Sequence, residues 1–246
     1  MGLDDLDHLA QLRLDLDRFV DAVEYGPADA PIAGCPGWNL RRLGLHLAGV
    51  HRWVLAALEL GVAPTPEQLP SDPDGDMAFI AGYVREGGDA LLDALAALDA
   101  DAPTWHPFPV EPKVAGLWRR RQGQEALVHR WDADHAIGRP SVIEAPFAHD
   151  GIDEYWTVML PRMLIREGRS TPRTRIGVVS LDTGGRWCVD GSSGFPLLLP
   201  ADADVDVCVE STAETMLLRL WGRPCGEVLI EGERAVADEW LALGGA

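Results

Sequence analysis

The hydrophobic pattern of this chain changes period near residue 170, and that change limits the architectures open to it. Before that point apolar residues recur at three- and four-residue spacings, the helical period. After it they fall in short β-branched stretches with partial alternation. Residues 3–24 carry Leu3, Leu6, Leu9, Leu12, Leu16, Phe19, Val20 and Val23, a helical stripe that the GPADAP segment ends. Asn39 is the N-cap expected for a second helix running through Leu60 to Gly61, and PTPEQLPSDPDGD is a proline-rich loop. A third helix is expected over 76–99, interrupted at Gly87-Gly88, before the irregular DAPTWHPFPVEP stretch. A fourth spans 115–137 and stops at Gly138-Arg139-Pro140, a glycine followed by a proline. Four long helices predict a bundle.

A further helix over 150–167 is expected to be interrupted or kinked at Pro161. TRIGVVSLD, RWCVDG, DVDVCVE and EVLIEG then read as strands, TAETMLLRLWGR as a helix capped by Ser211 or Thr212, and ERAVADEWLAL as a closing helix. The predicted fold class is therefore α+β: a helical bundle over 1–148, the 150–167 helix as connector, and a small α+β domain over 170–246.

With 246 residues, 47% of them hydrophobic and nine of them Trp, the chain builds real cores and is not a disordered segment. No apolar run reaches the roughly 18 residues of a membrane span, and the acidic amino terminus lacks the regions of a signal peptide. A cytoplasmic monomer or small homo-oligomer is expected. A net charge of −18 leaves no basic footprint for nucleic acid or an anionic membrane surface. Cys35, Cys188, Cys208 and Cys225 are widely spaced with no C-x-x-C, so they read as reduced thiols; Cys35, in CPGWN before the second helix, is assigned a structural role.

The chemistry is expected in two of the helices. RRLGLHLAGVHRW carries His46, and RRRQGQEALVHRWDADHAIG carries Glu125 and His129; both read as amphipathic. Four residues apart on a helix, Glu125 and His129 differ by only about 40° and project the same way. If the second helix delivers His46 opposite them, a two-histidine, one-carboxylate set results, the ligand type that holds zinc or a similar divalent ion while leaving positions open. The bland alternative is a solvated Glu-His pair with His46 hydrogen-bonded at a helix interface. Against it, Leu43, Leu45, Leu47 and Val50 surround His46, and Ala126, Leu127, Val128 and Trp131 flank the other pair, so these polar groups need a partner near buried surface. His51 lies about 140° around the helix from His46, and it and His135 are read as supporting or solvent-side residues.

CPGWNLRRLGLHLAGVHRW, QEALVHRWDADHAIG and LLRLWGRP together, in this order, resemble the motifs of the mycothiol-dependent maleylpyruvate isomerase family, within the DinB-like metal-binding bundles. The resemblance implies a DinB-like four-helix bundle holding a divalent metal, usually zinc, with His46, Glu125 and His129 matching its ligands, and a small C-terminal domain. It implies an isomerase or S-transferase that uses mycothiol, the cysteinyl pseudodisaccharide thiol of actinobacteria, as cosubstrate and acts on a small electrophile such as maleylpyruvate. Arg223, in LWGRP, matches an arginine assigned to the family's active site and is preferred over Arg119, Arg120 and Arg121. A net charge of −18 would repel a dianionic substrate unless the pocket is locally basic, which favours a neutral electrophile.

No dinucleotide fingerprint or P-loop is present, so no tightly bound organic cofactor is expected. The rival readings are a metal-dependent hydrolase, in which the same open metal activates water, and a non-enzymatic, metal-stabilised binding protein whose C-terminal domain holds a small apolar ligand among Trp187, Phe195 and Trp221.

Overall fold

The computed structural model describes residues 6–244, so the expected contribution of Leu3 lies outside the described residues. It divides into two compact units, one comprising Asp7–Pro107 and Glu111–Val142, the other Phe108–Val110 and the chain from Ile143 onward.

The first unit is built from α1 (His8–Tyr25), α2 (Leu40–Leu60), α3 (Met77–Ala97) and α4 (Ala115–Ala136). Local chemistry sets their ends. Asp7 accepts from the Leu9 and Ala10 amides at the start of α1, Asn39 from Arg42 at the start of α2, and Asp76 from Phe79 at the start of α3. Gly61 and Gly138, both at φ 68°, take the left-handed conformation that follows α2 and α4. Leu12, Leu16, Phe19, Val20 and Val23 of α1 form one buried stripe with Leu40, Leu43 and Leu47 of α2 and Ile80 and Val84 of α3. Cys35 joins this core, 6% exposed.

Two features depart from the sequence expectation. The Gly87-Gly88 pair does not interrupt α3 but lies buried within it. A Cβ at Gly88 would collide with Leu16 of α1, and one at Gly87 with the Arg52 guanidinium, so the pair lets the helices approach. Nor is α4 amphipathic in the ordinary sense: it is buried around most of its circumference and takes Arg121, Gln122, Gln124, His129, Arg130, Asp132 and Asp134 inside with it. Burying charge on this scale is tolerated because the groups are paired. Arg130 Nε donates to Asp15 Oδ1 of α1 at 2.9 Å, and Arg18 Nε lies 2.7 Å from Asp134 Oδ2.

The second unit carries α5 (Ala145–Glu154), a π-helical turn (Tyr155–Met159), α6 (Leu160–Glu167), β1 (Arg175–Ser180), β2 (Arg186–Asp190), β3 (Leu197–Leu199), β4 (Val207–Ser211), α7 (Ala213–Leu220), β5 (Leu229–Gly232) and α8 (Arg234–Leu241). The helix expected at 150 begins at 145 instead, and its irregularity precedes Pro161. The Leu160 amide bonds five residues back to Tyr155, which lets the chain absorb a proline at the second position of α6. The sheet order is β3-β2-β1-β4-β5, with β1 and β4 parallel and the other pairs antiparallel. β3 was not foreseen, since three consecutive leucines show no alternation. Thr212 caps α7 through its hydroxyl. Tyr155, Trp156 and Trp240 lie in the core of this unit with Ile176 and Val178 of β1.

Candidate metal centre

In the first unit, α4 presents Glu125 and His129 on one face, as their spacing requires, and α2 brings His46 to them. Glu125 Oε1 stands 3.3 Å from His46 Nε2 and 3.4 Å from His129 Nε2, and one ligand atom from each of the three residues lies within 4.8 Å of the others. Donors about 2.0–2.2 Å from a shared ion at tetrahedral angles sit roughly 3.3–3.6 Å apart, so two of these separations already fit one cation between them. The two imidazole rings are close to perpendicular, with centroids 5.0 Å apart.

Two further side chains fix the set. His129 Nδ1 lies 3.0 Å from Asp132 Oδ2, one turn along α4. With the Nδ1 proton donated there, the Nε2 lone pair is turned toward the Glu125 carboxylate, and two electron-rich atoms facing each other call for a proton or a metal ion. Arg121 Nη2 donates to Glu125 Oε2 at 3.0 Å, leaving Oε1 for the histidines. Burial works against ionising Glu125, but hydrogen bonds from His129 and His46 and the charges of His129 and Arg121 outweigh it, so its carboxyl titrates well below the usual carboxylate range. Burial likewise opposes protonating His129, and there Asp132 and Glu125 prevail and push the imidazole up. The centre thus favours positive charge between its donors.

Sequence reasoning passed over Arg121 and Asp132 as parts of this centre. The signal was their spacing, four residues before Glu125 and three after His129, both neighbours on one helical face. His51 is fully buried, and burial lowers its pKa to about 4, keeping it neutral. His135 is exposed and stacks on Trp131, with centroids 4.8 Å apart.

A cavity of about 670 Å³ opens beside His46, lined on α2 by Arg42, Leu45, Gly49, Val50 and Trp53 and closed by Trp38, Tyr83 and residues of the proline-rich loop. Trp38 meets the His46 ring edge-on at 4.9 Å. Gly49 lies one turn beyond His46, and a Cβ placed there would meet nothing within 4 Å.

In the second unit, Arg223 follows α7 and is 5% exposed; its amide donates to Leu218 O and its Nη1 to Trp221 O at 2.7 Å. Of the residues considered for an apolar ligand there, Trp187 is buried and its Nε1 lies 3.3 Å from Asp153 Oδ1, Phe195 is 39% exposed, and Trp221 packs edge-on against Tyr155.

The family model for the mycothiol maleylpyruvate isomerase N-terminal domain matches residues 9–134, just over half of the chain. Comparison with curated protein sequences gives no match. Among solved structures, the chain is similar to a crystal structure of the mycothiol-dependent maleylpyruvate isomerase and to one of a histidine-to-alanine mutant of that enzyme. Each shares 13% identity with it, covers 95% of both chains and superposes with a TM-score of 0.63. Likeness of this degree shows a common fold, helical part and small sheet domain together.

Proposed function

The chain belongs to the mycothiol maleylpyruvate isomerase N-terminal domain family, and from that premise we propose that it is a divalent-metal-dependent, mycothiol-using isomerase or S-transferase of small electrophiles. The observation that carries the reading is the convergence of His46, Glu125 and His129 beside a cavity large enough for a thiol and an electrophile. Zinc is the ion this donor set suits, two imidazole nitrogens and a carboxylate oxygen with room for exogenous ligands. When bound, it would supply the charge that keeps a thiol deprotonated at neutral pH.

The residues of the chain do the rest. Asp132 holds the Nδ1 proton of His129 and Arg121 holds Glu125 Oε2, so both ligands are oriented before substrate arrives. Trp38 and Trp53 give the cavity wall beside His46 an aromatic surface. In the isomerisation, the thiolate sulfur adds to the alkene as the π pair moves to the conjugated carbonyl. The new single bond rotates, and return of the pair expels the thiolate to leave the trans alkene. The LWGRP resemblance assigns Arg223 to the reaction, a guanidinium being the group type that pairs with a substrate carboxylate or stabilises a developing enolate. A cytoplasmic setting suits this chemistry, and the four cysteines are free thiols.

The deciding experiment assays maleylpyruvate and related electrophiles with zinc-loaded protein in the presence and absence of mycothiol. Turnover that requires both zinc and thiol is expected. Turnover that requires zinc but is indifferent to thiol would replace this reading with metal-dependent hydrolysis.

A further inference from the structure

The chain carries a net charge of −18, yet the cavity beside His46 gathers three guanidiniums, of Arg41, Arg42 and Arg52, against a single carboxylate, that of Asp72. The three cations are not equivalent. Arg52 is committed to the fold: it donates to the carbonyls of Ala48 and Tyr83 and to Glu86, and its guanidinium lies 3.3 Å over the Tyr83 ring. Arg41 donates to Gly75 O at 2.5 Å and to Asp74 at 3.3 Å. The Arg42 guanidinium rests 4.7 Å over the Trp38 ring and, among the described residues, meets no carboxylate.

A guanidinium lying over an indole face keeps the N–H donors of its own planar edge available, where they match the two oxygens of a carboxylate. Stacking also removes much of the rotamer freedom that a lone exposed arginine would lose on binding. Trp38 in turn packs edge-on against His46, so guanidinium, indole and imidazole form one continuous series along the cavity wall that ends at the candidate metal centre. Against the overall charge, this point on the surface presents in Arg42 a guanidinium that no carboxylate among the described residues neutralises.

We infer that Arg42 is a specificity-determining residue of this site, the bidentate anchor for a carboxylate of the electrophile, and that the protein therefore selects carboxylate-bearing electrophiles over neutral ones. The inference rests on the reading of this cavity as the place where the electrophile binds.

The test is calorimetric titration of the zinc-loaded full chain with maleate and with its neutral dimethyl ester, without thiol, for the wild type, Arg42→Met and Arg42→Lys. Zinc stoichiometry and circular dichroism establish that each variant is folded. Maleate is expected to bind the wild type more tightly than the ester, and Arg42→Met to reduce that preference by roughly tenfold or more, with partial recovery in Arg42→Lys. An unchanged preference in Arg42→Met, or no measurable maleate binding to the wild type, overturns the inference. So does the opposite pattern, in which Arg42→Met weakens binding of the carboxylate-bearing thiol mercaptosuccinate and not of maleate. Arg42-dependent binding of maleate by a protein that turns over no electrophile with any low-molecular-weight thiol would uphold the subsite and reject the proposed function.

Discussion

At the scale of single residues, His129 and Glu125 are held by Asp132 and Arg121, which lie outside the candidate ligand set. Asp132 is the clearest: without its carboxylate, His129 loses the partner that fixes its ring and tautomer. Asp132→Ala should weaken zinc binding by about 10–100-fold while leaving one site per chain; a dissociation constant unchanged in a chelator-competition titration would remove Asp132 from the centre. His129→Ala should abolish stoichiometric zinc altogether, and a full equivalent retained by the purified variant would show the ligand assignment to be wrong. His51 makes a prediction about stability instead. Burial first, then the charges of Arg52 and His46, lower its folded pKa from 6.5 to about 4. The unfolded chain therefore takes up this proton at a higher pH than the folded one, and stability falls as pH drops from about 6.5 through 4. That contribution is on the order of 3 kcal/mol across the window. Urea unfolding of His51→Leu beside the wild type, at several pH values from 4 to 7, should show a flatter acid limb in the variant; parallel curves would contradict it. Within the centre, sequence spacing was enough to put Glu125 and His129 on one face, because i,i+4 geometry is a property of one helix; that His46 joins them from another helix was implied by the family resemblance and is seen only in the fold. It did not reveal Trp38, Arg42 or the basic cavity, which arise only when residues before α2, in α2, in the proline-rich loop and in α3 are brought to one wall.

At the scale of elements, α1 to α4 were legible because apolar residues recur at the helical period, with Asn39, Gly61 and Gly138 marking ends of α2 and α4. The interior of α4 was not, since its charges suggest a solvated face whereas its partners come from another helix. Arg130 joins α4 to Asp15 of α1, and it lies 3.7 Å from Asp134 on its own helix. Arg130→Ala leaves both carboxylates buried without it and should cost about 3–5 kcal/mol, whereas Arg130→Met with Asp15→Leu should recover much of that loss, because the desolvation of the pair is removed with it. Chemical denaturation of the two variants checks this, and a single substitution costing under about 1 kcal/mol would mean that the pair behaves as a surface ion pair. The glycine pair in α3 was misread for a related reason: as sequence it reads as a helix breaker, whereas in the fold its value is the approach of Leu16 and Arg52. The π-helical turn before Pro161 has no sequence signature that distinguishes it from a simple kink.

At the scale of the whole molecule, the bundle has its own apolar core, so metal and fold are separable. Chelator treatment should remove the ion and leave the helical circular dichroism intact, unlike a zinc finger, in which metal binding and folding coincide; collapse of the spectrum on chelation would show the ion to be a structural keystone. The same independence leaves the cavity wall open to change, and Gly49 shows where. A glycine inside a helix gives up about 0.5–1 kcal/mol relative to alanine, and nothing stands where its methyl group would go. Replacement by alanine should therefore raise the melting temperature, while longer side chains would fill the space beside His46 and exclude the bulkier electrophiles. A library varied at this one codon would be sorted in opposite orders by a heat challenge and by a binding assay with large ligands, which makes position 49 the natural dial for anyone retuning the cavity.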